Sequence, residues 1–298
     1  MSLDIIYHSR RISEAKIRKK FVPEFGEENC RFHATTASKS SYDIALEVIN
    51  GGGRTLIACG GDGTLNEVAN AILDMQIKEG IEGIRIGVLP VGTANDFVKS
   101  ANISKDPRKL KELIDSNSVF QMDVGLLTHN KVTHYFINAM DAGMGADAIG
   151  NVQSMPRWIG GKSAYKLGIV KSLMTYKNRR MRLVLDGEVV DGFFRMVIVS
   201  NGRFIGEGHC VAPGGCLDDG LLEVLSVGDV TLFDYIKQLP RLKRAEYINH
   251  PQVFYRTVRE VELFGDALTE LDGEYGPPLP VKITVLPKVL SVYAPIEL

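Results

Sequence analysis

From Asp4 to about Asp115 the chain alternates short apolar runs with stretches whose apolar positions recur every three or four residues. Asp4-Ile5-Ile6-Tyr7, Arg31 to Ala34, Thr55-Leu56-Ile57-Ala58-Cys59 and Ile84 to Leu89 read as strands, the third a buried one because its apolar run is unbroken. Ser40-Ser41-Tyr42-Asp43-Ile44-Ala45 opens a helix to about Asn50, ended by Gly51-Gly52-Gly53. Val68, Ala69, Ile72 and Leu73 carry helical spacing, and Lys105 to Asp115 reads as a short charged helix. From Phe120 the pattern changes. Short strand-like runs take over at Val119 to Val124, Thr133 to Ala139, Met181 to Leu185, Phe194 to Ser200, Leu221 to Val227, Val258 to Phe264 and Val281 to Leu286. The expectation is an α/β first domain followed by a β-rich second domain, with the cleft between them as the default active site.

Bulk composition trims the classes without choosing one. At 298 residues the chain exceeds what one typical domain needs, which supports two domains. The net charge of −1 excludes a molecule built as a whole for nucleic acid. Cys30, Cys59, Cys210 and Cys216 form no Cys-x-x-Cys pair and no zinc spacing, so they read as reduced thiols of a cytoplasmic protein. No apolar run is long enough to span a bilayer, and the amino terminus lacks a signal-peptide core.

The candidate chemistry centres on Cys59-Gly60-Gly61-Asp62-Gly63-Thr64-Leu65-Asn66-Glu67. It reads as a strand, a glycine turn and a helix start, with Thr64 and Glu67 expected to form a capping box. Glycines let backbone approach an anion, and first-turn N–H groups point at it, which suits phosphate. Asp62 would repel a phosphate unless a divalent cation lay between them. Otherwise Asp62 merely holds the turn shut. Pro90-Val91-Gly92-Thr93-Ala94-Asn95-Asp96-Phe97 repeats the design with a second expected cap, Thr93 to Asp96. Successive strand ends would place both loops on one edge of a parallel sheet, where such sheets bind ligands.

Three later segments carry further signals. Between residues 148 and 185, Arg157, Lys162, Lys166, Lys171, Lys177, Arg179, Arg180 and Arg182 stand without any Asp or Glu. Trp158, Tyr165, Ile169, Leu173 and Tyr176 lie among them at roughly helical spacing. Such a helix suits a membrane surface with anionic headgroups, and a solvated basic helix packed on the β domain is the alternative. Thr231 to Tyr247 is a second, weaker candidate for that contact. Asp218-Asp219-Gly220 is a tight acidic turn that offers oxygens to a hard cation. Leu271-Asp272-Gly273-Glu274 is an acidic turn near the carboxyl end. Gly143-Met144-Gly145-Ala146-Asp147-Ala148 lacks the acidic residue that a dinucleotide fingerprint needs about 20 positions on. Gly161-Lys162-Ser163 is no phosphate loop, because Pro156 stands where its first glycine belongs.

Gly60 to Glu67 resembles the nucleotide loop of the diacylglycerol kinase catalytic-domain family, which includes bacterial lipid kinases and sphingosine kinases. NAD kinases and phosphofructokinases carry related loops. Leu89-Pro90-Val91-Gly92-Thr93-Ala94-Asn95-Asp96-Phe97 resembles the second lipid-kinase signature and tips the choice away from NAD kinases. Asn138 to Ala148, Asn201 to Leu222 and Leu271 to Glu274 continue the match in order. Only Tyr7-His8-Ser9-Arg10-Arg11 departs, where the family carries Asn-Pro-x-(Ser/Ala)-Gly.

The resemblance implies an NAD-kinase-like α/β domain with a parallel sheet at residues 1–122, to which residues 287–298 return, and a β-rich sandwich domain for the lipid at 123–286. It implies a peripheral lipid kinase that moves the γ-phosphate of Mg-ATP to a lipid hydroxyl, diacylglycerol by default. Nucleotide contacts fall on Thr36, Gly60, Gly61, Asp62, Gly63, Thr64, Leu65, Asn66 and Thr93, with Asp62 organising Mg²⁺ and the phosphates. A structural Mg²⁺ falls on Asp219 with the backbone of Cys216 and Leu221. Glu274 is the implied base, and Asp272 shares that task or ligates Mg²⁺. A membrane surface and a second copy, in a homodimer, are the implied partners. An NAD or other small-molecule kinase and a nucleotide-sensing membrane module without catalysis are the alternatives.

Overall fold

The computed structural model describes residues 2–155 and 161–295, without the side chains of Gln153, Lys162 and Ala164–Lys166. Arg157 and Trp158, and the side chains of Lys162, Tyr165 and Lys166, therefore lie outside the described residues, and with them part of the basic segment. The chain divides into two compact units. The first runs to Val124 and takes back Leu217–Asp219 and the chain from Pro287, and the second is Gly125–Cys216 with Gly220–Leu286.

In the first unit β1 (Leu3–Tyr7), α1 (Glu14–Phe25), β2 (Cys30–Ala34), α2 (Ser41–Asn50), β3 (Thr55–Gly60), α3 (Asp62–Ile77), β4 (Arg85–Pro90), α4 (Asp96–Ser100), α5 (Pro107–Asp115) and β5 (Val119–His129) follow one another, the last running on into the second unit. The strand order β2-β1-β3-β4 is parallel throughout, and the last strand of the chain adds to it in parallel where Val292 faces Ile86. Strands β1 and β3 are buried at every residue, as parallel strands covered on both faces must be, which explains their unbroken apolar runs. One face packs Leu3, Ile5, Tyr7, Ile57 and Cys59 against Ile17 and Phe21 of α1 and Leu110 and Ile114 of α5. Asp4 is the polar exception on β1. It is held by Arg31 at 2.6 Å and by His33 at 2.9 Å from β2.

The second unit continues with β6 (Val132–Phe136), β7 (Ala139–Gly143), α6 (Met144–Gln153), α7 (Gly161–Thr175), β8 (Arg179–Leu185), β9 (Glu188–Phe194), β10 (Met196–Ser200), β11 (Phe204–Ile205), β12 (His209–Cys210), β13 (Leu222–Val227), α8 (Leu232–Lys243), β14 (Val253–Val258), β15 (Glu260–Gly265), β16 (Thr269–Leu271), β17 (Glu274–Tyr275) and the start of β18 (Val281–Tyr293). One antiparallel layer has the order β14-β13-β10-β7-β16-β17. The other joins β18, β15, β8 and β9. Met140, Ala142, Val197, Val199 and Leu222 of the first layer meet Met181, Leu183, Val261, Leu263 and Ile283 of the second in one buried cluster, which makes a β-sandwich. The run expected as one strand from Thr133 to Ala139 is two strands, broken at Ile137 and Asn138. The cause lies in a distant turn described below.

Candidate active site

Because β1, β2, β3 and β4 are parallel, their carboxyl ends share one sheet edge. There the glycine loops touch through backbone. Gly60 O accepts the N–H of Val91 at 2.9 Å and of Gly92 at 3.1 Å. A Cβ at Gly92 would lie 2.4 Å from Gly61 Cα, so the approach is open only to glycine. Asp62 bridges the same two loops, its Oδ1 accepting the Phe97 N–H at 3.2 Å. Burial, then the neighbouring Asp96, pushes the Asp62 carboxyl above its ordinary range, and the N–H groups of Phe97, Asp96 and Asn95 oppose the rise. Asp62 thus ties the first loop to the second, its carboxylate turned to the Phe97 N–H.

Neither capping box expected at these loops is formed. Helix α3 starts earlier, at Asp62, with Gly61 as N-cap and no side-chain cap. Thr64 packs back on Gly60, and Glu67 accepts the Ser41 N–H at 2.8 Å, which ties α3 to the start of α2. That start already has a true box between Ser40 and Asp43. At the second loop α4 starts at Asp96, after Asn95 in a left-handed conformation (φ 49) whose Nδ2 donates to Gly92 O. Thr93 is exposed.

The remaining nucleotide residues are spread over this edge. Gly61 and Asp62 are half-buried and Gly63 is exposed, whereas Thr64, Leu65 and Asn66 turn inward. The Leu65 N–H is used by Gly61 O, and Asn66 Oδ1 accepts from Asn70. Thr36 is exposed just past β2 and accepts the Ser38 N–H at 3.3 Å. In the departed first loop Ser9 donates to Thr35 O at 2.6 Å and its N–H reaches Thr35 Oγ1 at 3.2 Å, so hydroxyls hold this turn to β2.

In the second unit, Leu271-Asp272-Gly273-Glu274 closes the hairpin of β16 and β17. Both turn residues have positive φ, 48 at Asp272 and 92 at Gly273, as a tight Asp-Gly hairpin requires. Leu271 is buried in the sandwich and its cross-strand partner Glu274 is exposed. Asp272 spends its carboxylate on three consecutive backbone N–H groups, Ile137 at 2.7 Å, Asn138 at 3.0 Å and Ala139 at 2.9 Å. This is the distant turn that breaks the expected strand between β6 and β7. The Asp272 carboxylate anchors the hairpin turn to the link between β6 and β7.

The turn at Asp218-Asp219-Gly220 precedes β13, with Gly220 at φ 71. Asp219 is exposed, and Cys216 and Leu221 are half-buried. No group of three or more His, Cys, Asp or Glu gathers among the described residues. The expected Mg²⁺ set needs none. One carboxylate and two carbonyl oxygens fit a hard cation, and the Cys216 thiol is not required.

Four carboxyls inside the fold, Asp123, Asp141 and Glu223 buried and Glu270 half-buried, escaped the sequence reading. Asp123 is fully buried, accepts the Lys288 N–H at 2.8 Å and gives its own N–H to Leu217 O at 2.7 Å. Asp141 and Glu270 face each other across β7 and β16. Glu223 lies buried near Gly214 and Tyr247. Asp123 and Glu223 sat in runs already read as strands. The others need the strand register to be seen at all.

Parallel α/β unit, glycine loops at its sheet edge and a β-sandwich carrying an acidic hairpin define a kinase architecture. Residues 6–127 match the diacylglycerol kinase catalytic domain, and residues 138–294 match the YegS C-terminal NAD kinase beta sandwich-like domain. The chain belongs to the diacylglycerol kinase catalytic-domain family and is a kinase. It is 29% identical over 242 residues to a diacylglycerol kinase of Staphylococcus carnosus (strain TM300), covering 80% of this chain and 76% of that one. It is 27% identical over 268 residues to a diacylglycerol kinase of Bacillus subtilis (strain 168), covering 89% and 86%. A solved diacylglycerol kinase structure from Bacillus anthracis str. Sterne superposes with a TM-score of 0.72 at 17% identity over 98% of this chain and 96% of that one, which supports the fold.

Proposed function

We propose that the protein transfers the γ-phosphoryl group of ATP to the hydroxyl of diacylglycerol and so makes phosphatidic acid. The observation that carries this reading is the backbone contact of Gly61 with Gly92, which sets two glycine loops side by side at the end of a parallel sheet. The first turn of α3, with no side-chain cap, offers N–H groups to phosphate there. Asp62 keeps the loops in register. The Glu274 carboxylate is the base that accepts the lipid hydroxyl's proton at its Oε atoms, since an unassisted alcohol is a poor nucleophile. When bound, Mg²⁺ neutralises phosphate charge, and a second Mg²⁺ on Asp219 with the carbonyls of Cys216 and Leu221 would brace the turn before β13.

A lipid substrate calls for contact with a membrane surface. Among the described residues no helix is long and apolar enough to cross one. Phe233 and Ile236, three positions apart on α8, are 73% and 56% exposed beside Lys237 and offer a surface of the interfacial kind.

The test is transfer of labelled γ-phosphate from Mg-ATP into extracted bacterial lipids in mixed micelles, with the product identified. Labelled phosphatidic acid is expected, and Glu274→Gln and Asp62→Asn should each abolish it while the fold persists. A different labelled phospholipid would change the acceptor. No labelled lipid despite ATP binding would overturn the lipid reading in favour of a soluble acceptor or a sensing role.

A further inference from the structure

Behind the hairpin that presents Glu274 stand two carboxyls that take no part in the proposed phosphoryl transfer. Glu270 stands directly opposite Asp141 in the antiparallel pairing of β16 with β7, so both side chains leave the sheet on one face. Glu270 Oε2 accepts the Gly273 N–H at 2.8 Å, inside the tight turn. Asp141 is 1% exposed. Its Oδ1 accepts the Gly145 N–H at 3.1 Å at the start of α6, and its Oδ2 has no hydrogen-bond partner among the described residues. Two carboxylates cannot both ionise cheaply side by side in such surroundings, and a bare buried oxygen is a poor place for charge. One proton kept on either carboxyl lowers both costs.

We propose that Glu270 is a positioning residue for Glu274, and that with Asp141 it forms a carboxyl pair that keeps one proton while the enzyme works. The proposal rests on the reading of Glu274 as the base. With the proton in place, Glu270 holds the Gly273 N–H and the turn keeps its shape. When the pair loses it, two adjacent negative charges repel across the ladder and the Gly273 contact shifts. Burial raises both carboxyls first, Asp141 to about 7 and Glu270 to about 8, and for Glu270 the nearby Asp141 adds to the rise. The loss therefore falls on the alkaline side of neutrality. The titratable and charged groups around the pair are Asp272 in the turn, Tyr275 opposite Glu270 on β17 and Tyr176 just past α7, which in turn feels Asp147 on α6 and Arg179 on β8.

Two measurements test this. The first follows the Gly273 amide by nitrogen-15 NMR from pH 6 to 9 with no substrate present. Its resonance should titrate in the wild type and stay still in Glu270→Gln, which still accepts the N–H but carries no titrating proton. The second is the pH profile of kcat. It should fall at alkaline pH in the wild type, and the fall should vanish in Glu270→Gln and in Asp141→Asn. Glu270→Ala should lower kcat roughly tenfold with little change in KM, the loss expected when one positioning hydrogen bond goes. A Gly273 amide that does not titrate in the wild type would overturn the pair whatever the substrate proves to be. An unaltered alkaline limb in Glu270→Gln would overturn its link to catalysis. Absence of lipid phosphorylation by the wild type would instead strike the proposed function, with the NMR result still readable.

Discussion

Asp272→Ala separates a residue that does chemistry from one that holds the site together. The wild-type carboxylate accepts three N–H groups at 2.7, 3.0 and 2.9 Å, from Ile137, Asn138 and Ala139, all of them buried residues. Alanine leaves all three without an acceptor. Each unsatisfied buried donor costs about 1–3 kcal/mol, and partial entry of water favours the lower end. Residue 272 also has φ 48, a conformation that costs alanine about 1–2 kcal/mol more. The sum is about 4–7 kcal/mol, a large share of a typical domain's stability. At about 2–4 °C per kcal/mol, the melting temperature should fall by roughly 8–28 °C. Asp272→Asn tolerates the left-handed conformation, keeps one acceptor oxygen for Asn138 and Ala139, and should cost only about 1–3 kcal/mol. The assay is thermal unfolding of both variants, with turnover measured well below each melting point. If Asp272→Ala melts within about 3 °C of the wild type, the anchoring argument is wrong. If Asp272→Asn melts normally yet loses all turnover, Asp272 belongs to the chemistry.

Other consequences are open to equally direct checks. Glu223 is buried, and desolvation lifts its carboxyl to about 7, offset by the Gly214 N–H, the Tyr247 hydroxyl and Arg203. Its folded value lies above its unfolded one, so its contribution is fullest at low pH and is lost as pH rises toward about 7. Glu223→Gln should therefore gain about 1–3 kcal/mol over the wild type at pH 8 and nothing at pH 4.5 in urea unfolding, and equal curves at both values would count against it. Gly92→Ala places a methyl group against Gly61 Cα and should cost about 1–3 kcal/mol and weaken ATP binding, read by calorimetry. Wild-type ATP affinity would show that the two loops need not touch. Glu67→Ala removes the acceptor for the Ser41 N–H and should lower the melting temperature by about 1 kcal/mol's worth, roughly 2–4 °C, whereas a mere i,i+3 cap at Thr64 would have made Thr64→Ala the costlier change.

Much of the fold was legible because its signals are local. The unbroken apolar run of Thr55 to Cys59 follows from burial on both sheet faces, and Ser40 with Asp43 forms the helix start that its residues announce. Asp272-Gly273 is a tight turn because few dipeptides accept two positive φ values. The glycine loops, too, stand where their residues put them, each between a strand and a helix. The caps were misread for an equally physical reason. Thr64 and Glu67 have the right spacing for a box, but spacing does not say where a helix begins. Here α3 starts two residues earlier than Thr64, and the carboxylate finds its donor on another helix.

What the sequence determined alone was therefore the set of short-range choices: which segments are strands, where they turn, and which loops are rich in glycine. Tertiary structure decided the use of the acidic residues. Asp62 meets Phe97 across 35 residues, and Asp272 meets Asn138 across 134. Asp141 meets Glu270 only because β7 and β16 pair in one register, and a slip of one residue would send the two carboxyls to opposite faces. A carboxylate's role depends on which donors and charges lie within about 3 Å of it, since charge-assisted bonds act at that range. Chain spacing does not carry that distance, and packing does.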